Sequence, residues 1–204
     1  KVNKEAMSGD IITGLWRKFC RGDYSAFSEL YRLLFPELLA YGCKIGGDYE
    51  MAEDVIQELF LKLYQNKVKL KDDEKLRVFL FRSVKNGIYT QLERSARQQQ
   101  LPDVPEDFKQ DFMIDEDYLG SQEEDIRQKV RSIIKGLTPR QREVVYLRFI
   151  HEMSYEEISG IMGINLQSAK NLLSRTVVSI RKSSLAEMES IFLLIAINMK
   201  NFSD

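Results

Sequence analysis

Apolar residues recur at helical spacing on both sides of one acidic segment, and no part of the chain shows the alternation of a β-strand. Segment 98–125 carries 10 acidic side chains and 1 basic one. It also contains Pro102 and Pro105 and has no sustained apolar stripe, so it predicts a linker. A hydrophobic content of 44% excludes a wholly disordered chain. We therefore expect an all-α protein of two small helical domains joined by an acidic linker.

Before the linker, the pattern predicts three helices. The stripe from Phe27 to Tyr41 indicates the first, with Pro36 placed to bend or divide it. Asp48 is suited to cap the second, whose apolar positions are Val55, Leu59, Phe60 and Leu63. A basic, aromatic helix from about Leu76 to Arg97 completes the domain.

After the linker, helical spacing resumes at Ile126, and Thr138 and Pro139 are typical of a helix start. The core face predicted for this helix is Val144, Val145, Leu147 and Phe149. The last segment, 185–204, has apolar residues around most of a helix and predicts an apolar C-terminal helix.

A helix-turn-helix is predicted between these segments. Ser154 and Glu157 form a capping box, Gly163 suits a tight turn, and Asn165 can cap a second helix. The positions expected to hold the two helices together are Ile158, Met162, Ile164, Ala169 and Leu172. A helical hairpin of the same outline without a DNA role is the alternative. The outer face of the second helix favours DNA, because amide and cationic side chains suit base edges and phosphates.

Charge is sorted along the chain, although the net charge is only −1. Segment 65–97 carries +5, segment 98–125 carries −9 and segment 126–184 carries +7. Basic segments of this kind indicate phosphate-rich partners, and solvated helix faces are the alternative explanation.

Cysteine and histidine are scarce: Cys20, Cys43 and His151 are the full set. We therefore expect no disulfide framework, no metal and no cofactor. The longest apolar run, 191–197, is far below the length of a membrane helix, so we expect a cytoplasmic protein without membrane insertion. A phosphate-binding glycine loop and a nucleophile–histidine pair are both missing, and we expect no catalytic residue and no enzyme activity.

Four motifs resemble, in order, those of bacterial extracytoplasmic-function (group IV) sigma factors of RNA polymerase. Residues 22–27 (GDYSAF) look like the opening of that family, and residues 52–64 (AEDVIQELFLKLY) like its polymerase-binding helix. Residues 76–86 (LRVFLFRSVKN) are similar to its promoter-melting helix, and residues 137–144 (LTPRQREV) to the start of its second DNA-binding domain. The run 167–171 resembles sigma factors from Bacteroidetes.

The resemblance implies a division of the chain and a set of partners. Segment 8–97 would bind core polymerase and melt the minus-ten element, 98–125 would be the linker, and 126–184 would read the minus-thirty-five element. The implied partners are core RNA polymerase (its β′ clamp and β flap), promoter DNA and an anti-sigma factor.

Site residues follow from the same resemblance together with the residue chemistry. The polymerase-binding residues would be Asp54, Gln57, Glu58 and Leu61. The residues of the melting helix would be Arg77, Phe79, Arg82, Lys85, Asn86, Tyr89 and Arg94, with burial expected for Phe79 and Phe81. Base contacts are expected from Gln167, Ser168, Lys170 and Asn171, and phosphate contacts from Arg140, Arg148 and Arg175.

Three positions depart from the family pattern: Thr90 and Glu93 stand where an Asp and a basic residue are usual, and Leu172 replaces a polar one. The alternative function is an autonomous helix-turn-helix regulator with an N-terminal helical sensor domain. Such a regulator would occupy a palindromic operator as a dimer, without polymerase.

Overall fold

The computed structural model describes residues 4–46, 48–66, 75–98, 128 and 132–183. Within them the chain is all-α, as predicted, and has no strand. The helices are α1 (Lys4–Cys20), α2 (Tyr24–Gly46), α3 (Tyr49–Asn66), α4 (Leu76–Gln98), α5 (Pro139–Phe149), α6 (Tyr155–Met162) and α7 (Leu166–Ser183).

The chain divides into two compact units. The first contains α1–α4, and the second contains α5, α7 and the start of α6. Apart from Gln98, which ends α4, the predicted linker and the predicted C-terminal helix lie outside the described residues. The boundaries 8–97 and 126–184 stay predictions.

α2 is the central helix of the first unit and packs against α1, α3 and α4. It begins after Asp23, whose Oδ1 accepts backbone hydrogen bonds from Ser25 and Ala26 at 3.0 and 3.3 Å. The Ser25 hydroxyl donates to the same oxygen at 2.6 Å, and this bond is the main cause of the lowered pKa of Asp23. The carboxylate therefore satisfies backbone donors that the helix itself leaves unpaired.

Pro36 lies inside α2 and does not divide it. A proline removes the hydrogen bond to the carbonyl four residues earlier, here that of Arg32. Both residues are exposed, so water can reach that carbonyl and the helix continues to Gly46.

The core of the first unit draws on all four helices. Its largest fully buried side chains include Trp16, Phe19, Leu30, Leu34, Leu38, Tyr41, Ile56, Leu63, Leu76 and Phe81. α1 contributes two of the aromatic rings, and Phe19 packs on Phe27 with 4.6 Å between ring centroids. α1 is therefore an integral element of the unit.

Two glycines allow close helix packing in this unit. A Cβ atom at Gly87 would lie 2.6 Å from Cγ1 of Val55, and one at Gly42 would lie 3.0 Å from Cβ of Ala52. Both distances are too short for an unadjusted contact, so α4 and α2 each lie against α3 only because these side chains are absent. Asp48 starts α3, as predicted, by accepting a bond from the Glu50 amide at 2.9 Å.

The second unit begins its helices as the sequence predicts. Thr138 caps α5 in a full capping box with Gln141, and Pro139 occupies the first turn. Of the predicted core face, Val144 and Leu147 are buried, whereas Val145 and Phe149 are half-buried.

The helix-turn-helix also forms as predicted. The Ser154 amide donates to Glu157 at 2.8 Å, and the Glu157 amide donates to the Ser154 hydroxyl at 3.2 Å. Gly163 makes the turn at a φ of 65°, and Asn165 caps α7 by accepting a bond from the Ser168 amide at 2.7 Å.

The packing register of α7 differs from the predicted one. Ala169 is buried as expected, but Leu172 is half-buried, and Leu173 and Thr176 are buried instead. Residues 169, 173 and 176 follow steps of four and three and therefore share one stripe of the helix. Thr176 fits this stripe because its hydroxyl donates to the Leu172 carbonyl at 2.7 Å.

Candidate protein and nucleic-acid interfaces

The outer face of α3 brings together the four predicted polymerase-binding residues. Asp54, Gln57, Glu58 and Leu61 are all exposed, and Leu61 is 55% exposed. The opposite side of α3 is buried through Ala52, Val55, Ile56, Phe60 and Leu63. The four side chains therefore share the solvent-facing side of α3 and are accessible to a partner.

Glu58 is held by a neighbouring lysine. Its carboxylate accepts a bond from Lys62 at 2.7 Å, and both side chains are well exposed. The hydrogen bond from Lys62 lowers the pKa of Glu58, followed by the positive charge of Lys62. A smaller contribution to the lowered pKa of Glu58 comes from the positive charge of Arg94 on α4. The carboxylate is therefore favoured in its charged form.

On α4, four predicted residues share an outer face. Arg82 and Asn86 are exposed, and Lys85 and Tyr89 are half-buried. The ammonium of Lys85 lies 5.8 Å from the centroid of the Tyr89 ring, within the range of a cation–π contact. This face therefore combines positive charge with one accessible ring, the chemistry that suits an unpaired nucleic-acid strand.

Two other predicted residues of α4, Arg77 and Arg94, do not join this face. The guanidinium of Arg77 donates to Glu37 of α2 at 2.9 Å and lies 5.7 Å from the centroid of the Phe81 ring. Its side chain is only 15% exposed, so Arg77 ties α4 to α2. Arg94 is exposed. Phe79 is half-buried, short of the burial expected for it, whereas Phe81 is buried as expected.

The two departures on α4 are both exposed. The Thr90 hydroxyl donates to the Asn86 carbonyl at 2.9 Å, and Glu93 lies 3.9 Å from Arg97. Thr90 thus directs its donor inward to its own helix, and Glu93 places a negative charge along an otherwise basic face.

On α7, the predicted base-contacting residues form one exposed face. Gln167, Ser168, Lys170, Asn171 and Arg175 are all exposed, and residues 166–183 contain no acidic side chain. The Gln167 amide donates to the Asn171 side-chain oxygen at 2.9 Å. Two of the residues predicted to contact bases, Gln167 and Asn171, are therefore hydrogen-bonded to each other.

Two of the predicted phosphate contacts come from α5. Arg140 is exposed in the first turn. Arg148 is half-buried: its Nη1 donates to the Met153 carbonyl at 2.7 Å, and its guanidinium carbon lies 5.4 Å from the centroid of the Tyr155 ring. Tyr155 was not among the predicted site residues; it directly follows the cap Ser154, and its ring is near Arg148 only through the fold.

The described segments contain neither a candidate metal-binding group nor a candidate membrane span. No group of three or more His, Cys, Asp or Glu side chains there is arranged to hold a metal ion. Among the helices described, none combines the length and the apolar character needed to cross a membrane.

Comparison with known protein families matches both units. The family model for Sigma-70 region 2 matches residues 30–98, and the model for Sigma-70, region 4 matches residues 127–180. The fold and the order of the two regions define a sigma-70 type protein.

Similar proteins of known identity indicate which group of sigma-70 type proteins the chain resembles. The chain is 27% identical to the extracytoplasmic-function (ECF) RNA polymerase sigma factor SigG of Mycobacterium tuberculosis, over 76% of this chain and 47% of SigG. It is 23% identical to the ECF RNA polymerase sigma factor SigM of Bacillus subtilis, over 72% of this chain and 88% of SigM. It thus spans about half the length of SigG but most of SigM. The chain belongs to the extracytoplasmic-function sigma factors, while the resemblance to those of Bacteroidetes stays a prediction.

Solved structures agree with this fold. The complex of CnrH with the cytosolic domain of CnrY matches with a TM-score of 0.56 at 19% identity, covering 85% of this chain and 96% of that one. The complex of the sigma factor RpoE with the anti-sigma factor NepR from Bartonella quintana matches with a TM-score of 0.53 at 21% identity, covering 79% and 98%.

Proposed function

We propose that this chain binds core RNA polymerase and directs promoter-specific initiation of transcription. The observation that carries the proposal is the outer face of α3, inside the part matched by Sigma-70 region 2. Asp54, Gln57, Glu58 and Leu61 are all exposed on it, outside the core of their own unit. The face carries the hydrophobic and acidic groups that a protein partner needs, and it lies on a different helix from the DNA-directed cations.

In this proposal the two units have different roles. Segment 8–97 binds the β′ clamp through α3 and opens the minus-ten element along α4. Segment 126–184 reads the minus-thirty-five element through α7 beside the β flap, and segment 98–125 connects the two. The matched ranges 30–98 and 127–180 support this division. The chain acts as a binding factor, not as an enzyme, and works in the cytoplasm, where polymerase and DNA are.

Charge reversal on α3 tests the polymerase contact. Replacing Asp54 and Glu58 together by arginine places positive charges where two carboxylates stand, and we expect core binding to be lost while the helical circular dichroism is unchanged. Both carboxylates are exposed, so the fold does not depend on them. The single variant Glu58→Arg has a matched control in Glu29→Arg, an exposed glutamate on α2 with the same change in net charge. Equal affinity of the charge-reversed and wild-type chains for core polymerase would refute the assignment.

Transcription tests the function as a whole. Core polymerase is incubated with fragmented bacterial DNA, with or without the chain, and the 5′ ends of the run-off transcripts are sequenced. We expect start sites that appear only when the chain is present and that share two upstream elements. An autonomous regulator would instead bind duplex DNA tightly without polymerase and create no start sites.

We also propose an anti-sigma factor as a partner of this chain. Two solved neighbours of similar fold support this: RpoE is in complex with the anti-sigma factor NepR, and CnrH is in complex with the cytosolic domain of CnrY. Competition provides the test, since an anti-sigma factor isolated on the immobilised chain is expected to displace core polymerase from it.

A further inference from the structure

Tyr155 is the first residue of α6, and a capping box fixes its position. The residue before it, Ser154, exchanges hydrogen bonds of 2.8 and 3.2 Å with Glu157. The backbone at Tyr155 is therefore held where the turn enters the helix-turn-helix. Its side chain is half-buried, so part of the ring remains accessible.

Two cations from two other helices lie over this ring. The guanidinium carbon of Arg148, from α5, is 5.4 Å from the ring centroid. The ammonium of Lys170, from α7, is 5.7 Å from the same centroid. Both distances fall within the range of about 6 Å in which the ring quadrupole attracts a positive charge. The side chain of Tyr155 thus connects all three helices of the second unit.

The two cations are held to different degrees. Arg148 has a second anchor, since it donates to the Met153 carbonyl at 2.7 Å. Lys170 is exposed on a flexible stem of four carbons. A lysine that is free to change rotamer loses that freedom when it binds a base, whereas a lysine already held over a ring loses less.

We infer that Tyr155 is a positioning residue for DNA recognition: its ring orients Lys170 toward a base edge and Arg148 toward a phosphate. This inference rests on the proposed function of α7. Tyr155 itself contacts no base in this arrangement and acts through the two cations. Because only the ring face is needed, phenylalanine replaces tyrosine at this position and leucine does not.

The test compares Tyr155→Leu with Tyr155→Phe in the full chain, reconstituted with core polymerase. Lys170→Ala first identifies the promoter base at which Lys170 discriminates. At that base, we expect Tyr155→Leu to reduce discrimination about two- to fivefold, the equilibrium change that one exposed cation–π contact accounts for. Tyr155→Phe is expected to keep wild-type discrimination. Loss of order at Arg148 is expected to reduce the salt dependence of promoter binding in the leucine variant alone.

A double-mutant cycle separates positioning from simple stability. If Tyr155 acts through Lys170, the leucine substitution has no further effect on discrimination in the Lys170→Ala background. A general loss of stability acts equally in both backgrounds and cancels in the cycle. NMR gives a readout that needs no DNA: the ring-current shift of the Lys170 side chain is retained with phenylalanine and lost with leucine.

Three results would overturn the inference: an unchanged leucine variant, equal effects in both backgrounds, or no base-specific effect of Lys170→Ala. Each of them leaves initiation by the wild-type holoenzyme intact. If the wild-type chain instead directs no initiation at all, the proposed function fails and the inference fails with it, so the two failures are distinguishable.

Discussion

The two helices proposed to contact DNA, α4 and α7, differ in the partners of their charged side chains. On α4, Arg77 is bonded to Glu37 of the same unit, and the charge of Arg94 reaches Glu58 on α3. On α7, every polar side chain of the recognition face is exposed, and the helix contains no acidic residue. The basic side chains of α4 are therefore divided: Arg77 stabilises the fold, whereas Arg82 and Lys85 lie on the face proposed for DNA. On α7, Lys170 and Arg175 both lie on the exposed face. α4 is thus joined to α2 by an ion pair, whereas α7 is held in its unit through the buried side chains of Ala169, Leu173 and Thr176.

Substitutions on α7 are expected to have the largest effects in this comparison. Lys170→Ala should cost about 1–3 kcal/mol of discrimination at one base pair, because it removes a contact to a base edge. Arg175→Ala should weaken binding to all promoters alike and reduce the salt slope by roughly 0.9. Holoenzyme affinities for a set of single-base promoter variants at several salt concentrations measure both quantities. Equal shifts of promoter preference in the two variants would show that the roles are not divided in this way.

On α4, Arg77 is expected to affect stability instead of DNA binding. Arg77→Met leaves Glu37 without the guanidinium, and we expect the free energy of unfolding to fall by about 1–2 kcal/mol. Arg82→Met on the exposed face should change it by less than about 0.5 kcal/mol. Urea denaturation of the two variants makes the comparison. If Arg77→Met unfolds at the wild-type urea concentration, α4 is not braced by this ion pair.

Strand opening is expected to respond to the exposed cations of α4. Arg82→Ala combined with Lys85→Ala removes positive charge from the face that would meet the displaced strand, and we expect open complex to fall about tenfold, or about 1.4 kcal/mol. Closed complex should change much less. Permanganate footprinting measures the opening, with Lys18→Ala and Arg32→Ala, two exposed cations elsewhere in the unit, as the control. Footprints as strong as those of the wild type would remove α4 from the opening step.

The smallest effect concerns the titration of Glu58. Lys62 lowers the pKa of Glu58 below its ordinary value of 4.5, so the charged carboxylate is favoured in the folded state. The stabilisation is present above the unfolded-state pKa and is lost as pH falls through the folded-state pKa. Lys62→Ala should raise the pKa of Glu58, and Arg94→Ala should raise it by less. NMR titration of the Glu58 carboxyl tests this, and no rise in either variant would contradict the described contacts.

Local signals predicted most of the helix starts, because a cap and the helix that it starts are neighbours in sequence. Asp48, Thr138, Ser154 and Asn165 all accept the backbone hydrogen bonds expected of them. α1 was missed even though Ile12, Leu15, Trp16 and Phe19 have helical spacing and are buried. Their spacing by three and four residues is the signal in the sequence that indicates α1.

Contacts between residues that are distant in sequence could not be predicted at the site. The exposed faces of α3 and α7 follow from spacing alone, because a helix turns by a fixed angle at each residue. Arg77 does not, since its partner Glu37 lies 40 positions earlier and only the packing of α4 on α2 brings the two together. The wrong prediction that Leu172, not Leu173, is buried in the second unit has the same cause, since burial there depends on packing between helices. Both are leucines, and only the neighbouring helices decide which one is buried.

Close packing at Gly87 determines when α4 loses its freedom to rotate relative to α3. Because α4 lies directly on Val55 of α3, the angle between the outer faces of the two helices is fixed when the unit folds. A chain bound to its partner through α3 therefore holds Arg82 and Asn86 in a set direction. The rotational freedom of α4 relative to α3, which would otherwise have to be given up at the promoter, has already been lost during folding.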